Sequence, residues 1–136
     1  MTREDLDTFE KLFGQLQSIY DELSLLSRKS PNDAVNKFKL AFVNGLLLEA
    51  GAFLGTAYLP FKDFGSFDVE SVPQYSDVVF ILAQYLQCFE KYRADNVTFY
   101  QGRWQWAVKA QGKEKGDEKG FIYVISVMPK RLRSTK

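Results

Sequence analysis

The chain has 136 residues, 46% hydrophobic and 15% aromatic, with 18 basic against 17 acidic side chains and a formal net charge of +1. That length suits one ordinary domain able to bury a core without staples, and the charge balance excludes a whole-molecule field drawing it to nucleic acid or an anionic membrane. It has no histidine and one cysteine, Cys88, which excludes Ser-His-Asp and Cys-His catalysis, histidine-ligated zinc or iron, an internal disulfide framework, and a cysteine-built metal site within one chain.

A lone cysteine fits a reducing compartment. The start "MTREDLDTFEKL" is acidic and polar, with no basic region leading into an apolar run. No signal peptide is therefore expected, the location is read as cytoplasmic, and the Asn96-Val97-Thr98 sequon is read as chance.

The first predicted helix covers about 2–28. Thr2 caps it, Asp5 completes a box-like start, and Glu4 and Asp5 suit the positive end of the dipole. Leu6, Phe9, Phe13, Leu16, Tyr20 and Leu23 recur at steps of three and four, with Leu12, Ile19 and Leu26 in a second row. Together they form a wide apolar stripe. "KSPND" separates it from a second helix over 31–55, with Ser30 as N-cap, Pro31 at the first helical position and Gly55 at the C-terminal end. Phe38, Phe42, Val43, Leu46, Leu47, Phe53 and Leu54 would cover one broad side, and Ala41, Asn44, Gly45, Leu48, Gly51 and Ala52 the other. A helix apolar over most of its surface is expected to be buried and central to the fold. Residues 40–59 approach the ~20 a membrane span needs, but Asn44 and Glu49 near the middle argue against insertion.

The loop 60–74 places Phe61, Phe64 and Phe67 among Asp63, Asp68 and Glu70, and a third helix follows over about 76–93 with Ser76 as its cap. Val78, Leu82, Tyr85, Phe89 and Tyr92 form its stripe.

After "ADN" the apolar period switches to two. "VTFYQGRWQWAV" divides at Gln101-Gly102 into strands over about 97–100 and 103–109. Phe99 then faces Trp104 and Val97 faces Trp106 on an apolar side, while Thr98, Tyr100, Arg103, Gln105 and Lys109 take the polar side. The tryptophans are accordingly read as core rather than as a stacking platform. "QGKEKGDEKG", 111–120, reads as a solvated, mobile loop without net charge. "FIYVISVM" is a strand over about 121–128, apolar on both faces and stopped by Pro129, with a basic tail at 129–136. The fold expected is one α+β domain over 1–136: three helices, the second central, packed on one face of a three-stranded antiparallel β-meander at the C-terminal end. The last strand would be an edge, and an apolar edge needs a cover.

For chemistry there is little. No Walker loop and no G-x-G-x-x-G occurs. Cys88 lies mid-helix and reads as a packed thiol. Asp63, Asp68 and Glu70 do not follow a calcium-loop order and read as a solvated acidic loop. Glu49, in the most apolar helix, would interest as a general acid only if buried, and a paired or edge-lying glutamate is the preferred reading. No enzyme, metal or cofactor is expected.

The function expected is a non-catalytic protein–protein interaction module or small subunit of an assembly, self-associating as a homodimer or binding another protein. Its candidate partner-binding residues are Phe61, Phe64 and Phe67 in the loop, and Phe121, Tyr123 and Ile125 in the last strand. The alternative is a nucleic-acid-binding accessory that uses Tyr100, Arg103 and Lys109 on the polar hairpin face with Lys130, Arg131 and Arg133 of the tail. No membrane partner is expected. A small-ligand pocket between the second helix and Trp104/Trp106, with Glu49 pointing inward, is a third and weaker reading.

Overall fold

In the computed structural model, which describes residues 1–130, the order is α1 (Arg3–Lys29), α2 (Lys37–Tyr58), a short 3-10 turn (Val69–Ser71), α3 (Tyr75–Asn96), β1 (Val97–Tyr100), β2 (Arg103–Lys109) and β3 (Phe121–Ile125). The class is α+β: three helices and an antiparallel meander at the C-terminal end, in strand order β1-β2-β3.

Local signals account for most element ends. The Thr2 hydroxyl accepts the Asp5 N–H at 3.0 Å and the Asp5 carboxylate accepts the Thr2 N–H at 2.9 Å, a reciprocal cap on α1. Gly55 leaves helical geometry at φ 66°, ψ 178°, where a side chain would be strained, and one more turn carries α2 to Tyr58. Gln101 (φ 52°) and Gly102 (φ 78°) both take positive φ, the geometry of a two-residue hairpin turn. Val97 therefore pairs with Trp106 and Phe99 with Trp104.

Three boundaries depart from the sequence reading, the simplest being β3, which ends at Ile125 rather than Met128. Ser30 and Pro31 do not start α2: the Ser30 N–H donates to Leu26 as α1 ends, and Asn36 caps α2 by accepting the Lys39 N–H at 2.8 Å. The backbone between is held by long-range bonds. Val35 N–H donates to Pro73, Tyr75 N–H to Asp33 and Ser76 N–H to Pro31, so tertiary pairing overrides the local cap. "ADN" is no separator either. Residues 94–96 form the last turn of α3, where the Asn96 amide donates to the Tyr92 carbonyl, and β1 follows without a loop.

The chain forms two compact units. One is Lys11–Phe89. Its core comes from Leu12, Leu16, Ile19 and Leu23 of α1, Leu40, Val43, Leu47 and Leu54 of α2, and Val78, Leu82, Tyr85 and Phe89 of α3. Here the expectation for α2 is corrected. Phe38 is 86% exposed, and Phe42 and Leu48 are exposed as well. A helix apolar on every side has no preferred direction to turn, so the neighbours it meets decide which rows are covered.

The other unit is Met1–Glu10 with the described residues from Glu90 onward. Leu6, Phe9, Ala94, Val97, Trp106 and Val108 are among its buried apolar residues. The Phe9 ring meets Trp106 edge-on at 4.9 Å and stacks with Tyr92 at 5.7 Å. Burial, then nearby Asp5, raises the Tyr92 phenol above its ordinary pKa. β1 is shorter than β2, and the Lys109 N–H left beyond it donates to the Met1 carbonyl at 3.0 Å. Trp106 is wholly buried, whereas Trp104 is half-buried and pairs with exposed Phe99 at 5.3 Å. The apolar side of the hairpin is thus core at one end only.

Candidate interaction surface

Alternation along β2 and β3 sets the two faces of the meander. Ile122 and Val124 lie opposite Val108 and Trp106 on the inner face. Phe121, Tyr123 and Ile125 lie opposite Lys109, Ala107 and Gln105 on the outer face, which Tyr100 and Arg103 share. Ile125 is 62% exposed, and Tyr100, Tyr123, Val127 and Met128 are exposed too, while Phe121 is half-buried. The Tyr100 and Tyr123 rings come to 5.9 Å.

The backbone of β3 can be accounted for residue by residue. Ala110 N–H donates to the Gly120 carbonyl at 2.9 Å and Ser126 N–H to the Trp104 carbonyl at 2.8 Å. Even-numbered residues therefore turn their polar groups toward β2, and the odd-numbered ones turn theirs away. Phe121 is closed off locally: its N–H donates to Asp117 Oδ1 at 2.9 Å, and its carbonyl accepts the Asp117 N–H at 2.8 Å. Tyr123 and Ile125 remain. Their outward N–H and C=O groups have no partner among the described residues.

The loop 111–120 that precedes this edge is exposed throughout, as expected of a solvated loop, and carries its own set of hydrogen bonds. Asp117 also accepts the Lys119 N–H at 2.9 Å and the Tyr123 hydroxyl at 2.6 Å. The Tyr123 hydroxyl first, then the Phe121 N–H, hold the Asp117 carboxyl below the usual carboxylate range, and the same bond raises the Tyr123 phenol. Gly116 lets the backbones approach: a Cβ there would lie 2.6 Å from the Gly120 carbonyl carbon. Glu114 pairs with Arg3 at 2.6 Å and accepts the Gln111 N–H. No known protein family, curated protein or solved structure matches this chain.

The other candidate residues are placed as follows. Phe61, Phe64 and Phe67 are half-buried and pack edge-on against one another, at 6.2 and 5.0 Å. The Asn44 amide fixes this cluster, accepting the Phe67 N–H at 2.8 Å and donating to its carbonyl at 2.9 Å. The polar residue in mid-α2 thereby engages both its amide nitrogen and its amide oxygen. Phe61 and Phe64 line an open depression of about 520 Å³ with Pro60, Lys62, Asp63 and Ile81. Asp68 serves as a cap, accepting the Glu70 N–H at 3.0 Å. Among the described residues no three Cys, Asp or Glu side chains converge as a metal set would.

Glu49 is exposed on α2, which removes the desolvation that the general-acid reading required. α2 is long and apolar enough to cross a bilayer by composition, and 33% of its most apolar window is buried. Its exposed side carries Phe38, Phe42 and Leu48. Tyr100, Arg103 and Lys109 are exposed on one sheet face. Lys130 is exposed and donates its backbone N–H to Glu90 at 3.1 Å, while Arg131 and Arg133 lie outside the described residues.

One cluster had no signal in the sequence. Arg93 and Glu90 are both buried in the sheet unit, with Arg93 Nε 3.7 Å from the Glu90 carboxylate. The guanidinium lies over Phe9 and Trp106, at 5.1 and 5.5 Å from the ring centres, and donates to the Ser126 hydroxyl at 2.8 Å. Read along the chain, these two are ordinary charged residues near a helix end. The arrival of Phe9 from α1, of β2 and of residues 126–130 encloses them.

Proposed function

We propose that the protein is a non-catalytic protein–protein interaction module that takes a partner's strand along the β3 edge. The observation that carries this reading is the pair Tyr123 and Ile125, with outward backbone groups free among the described residues and exposed side chains beside them. Backbone pairing on such an edge gives affinity, and the side chains on the adjoining face give selectivity. An unpaired apolar edge left open to solvent is an aggregation liability, which favours its being covered in use.

Photo-crosslinking from residue 125 in cells expressing the full chain tests this. A protein adduct is expected from position 125, and Ile125's neighbour Tyr123 replaced by proline should abolish it. Proline at 123 removes an outward N–H and leaves the β2 ladder intact. Adducts from residues 38 or 42 of α2 with none from 125 would move the interface to the helix face and overturn the reading.

A second reading is nucleic-acid binding on the outer sheet face, favoured by the side-by-side Tyr100 and Tyr123 rings next to Arg103. Bases could stack there with phosphate contacts from the basic residues. It is the weaker reading because Asp117 sits at the Tyr123 hydroxyl on that face. If it holds, a labelled single strand should bind with an affinity that falls steeply as salt rises, and Arg103→Ala should shallow that slope by about one. Absence of binding at low salt would end it.

A further inference from the structure

We infer that the occupant of the β3 edge is β3 of a second copy of this chain, running antiparallel about a twofold axis at Val124. The inference rests on the edge-docking reading above and names the partner.

Three observations converge on it. The first is the count of free groups. The outward N–H and C=O of Tyr123 and Ile125 are spaced so that Tyr123 of one copy faces Ile125 of the other, and each such pair exchanges two hydrogen bonds. A shift that centred the axis on Tyr123 would bring Phe121 opposite Ile125, and Phe121 is already closed off by Asp117 on both its N–H and its carbonyl. Centring on Val124 uses each free group once and asks nothing of Phe121.

The second is the side chains. In this register the exposed Tyr123 and Ile125 cover each other on the outer face, and the pairing stops short of Phe121, whose edge Asp117 already holds. No charged residue occurs from 121 to 127, so like charges never meet across the axis.

The third is the charge at the strand ends. The loop 111–120 before β3 carries three acids against three lysines, and Lys130 follows the strand. An antiparallel pair sets Lys130 of each copy beside the charge-balanced loop of the other, whereas a parallel pair would set Lys130 on Lys130. The result joins two sheets of three strands into one continuous sheet and removes the β3 edge from solvent.

The test uses the full chain in two arms. Analytical ultracentrifugation of the unmodified protein should give twice the chain mass of 15.7 kDa, and Ile125→Pro should return it to one chain mass with an unchanged far-ultraviolet dichroism spectrum, since that N–H points away from β2. In a Cys88→Ser background, Val124→Cys should form a covalent dimer under oxidised glutathione. Facing residues in the non-hydrogen-bonded position lie about 4.5 Å apart between Cα atoms, within disulfide reach. Ile125→Cys should not, because it faces Tyr123. A dimer that survives Ile125→Pro, or crosslinks through 125 but not 124, overturns the proposal. A monomer at all concentrations also overturns it. If photo-adducts with another protein still form from 125 in that case, edge docking stands with a different partner, and if none form both readings fall.

Discussion

Replacing Trp106 by alanine is expected to destabilise the sheet unit by about 3–5 kcal/mol, the range for truncating a large buried aromatic. Trp106 is fully buried, and both Phe9 and Tyr92 lie against it. Its removal would also strip the ring from one side of the Arg93 guanidinium. Whole domains have only about 5–15 kcal/mol of stability, so this one change should bring the unit near unfolding. Trp106→Phe should cost much less. The indole N–H is buried without an acceptor, so phenylalanine loses ring area but no hydrogen bond. Urea unfolding followed by Trp104 fluorescence measures both variants in the sheet unit, and a Trp106→Ala loss below about 1 kcal/mol would show that Trp106 is not its keystone.

The second large effect concerns the enclosed ion pair. Arg93→Ala and Glu90→Ala should each cost about 3–5 kcal/mol, because either leaves its partner charged and buried. The arginine variant also forfeits the bond to Ser126 and the positions over Phe9 and Trp106, and the glutamate variant the acceptor of the Lys130 N–H. The double variant Arg93→Met/Glu90→Leu should recover most of the loss, since two apolar side chains of similar volume carry no desolvation cost. The same urea titration decides it. If the single losses simply add in Arg93→Ala/Glu90→Ala, the two side chains are not coupled, and the pair contributes by packing alone.

Sequence and structure agree where the physics is local. The steps of three and four in α1, the reciprocal Thr2–Asp5 cap, the change of period after residue 96 and the positive-φ pair Gln101-Gly102 each depend on a few neighbouring residues. Such features are written in the order of side chains. The hairpin register follows from the turn, and with it the division of residues 97–109 between two faces.

The departures share one cause, which is that they depend on what arrives from far along the chain. α2 starts at Lys37 because residues 33–35 are drawn into pairing with 73–75, a bond set that outweighs a good local cap at Ser30. Phe38 and Phe42 are exposed although the pattern of α2 treats every side alike. The Arg93–Glu90 pair is buried by Phe9 from far upstream and by Trp106 and residues 126–130 that follow it.

The candidate site divides in the same way. Its apolar composition and its place at the sheet edge are legible in "FIYVISVM" after a hairpin. The two residues that offer free backbone groups are not. That depends on which parity of β3 faces β2, and on Asp117 closing Phe121. By itself, then, the sequence determined an α+β chain with no histidine chemistry and an apolar last strand, because composition and periodicity are properties of neighbours in order. Only the tertiary structure decided which apolar rows are covered and where the edge stays open, because burial and backbone pairing are properties of neighbours in space.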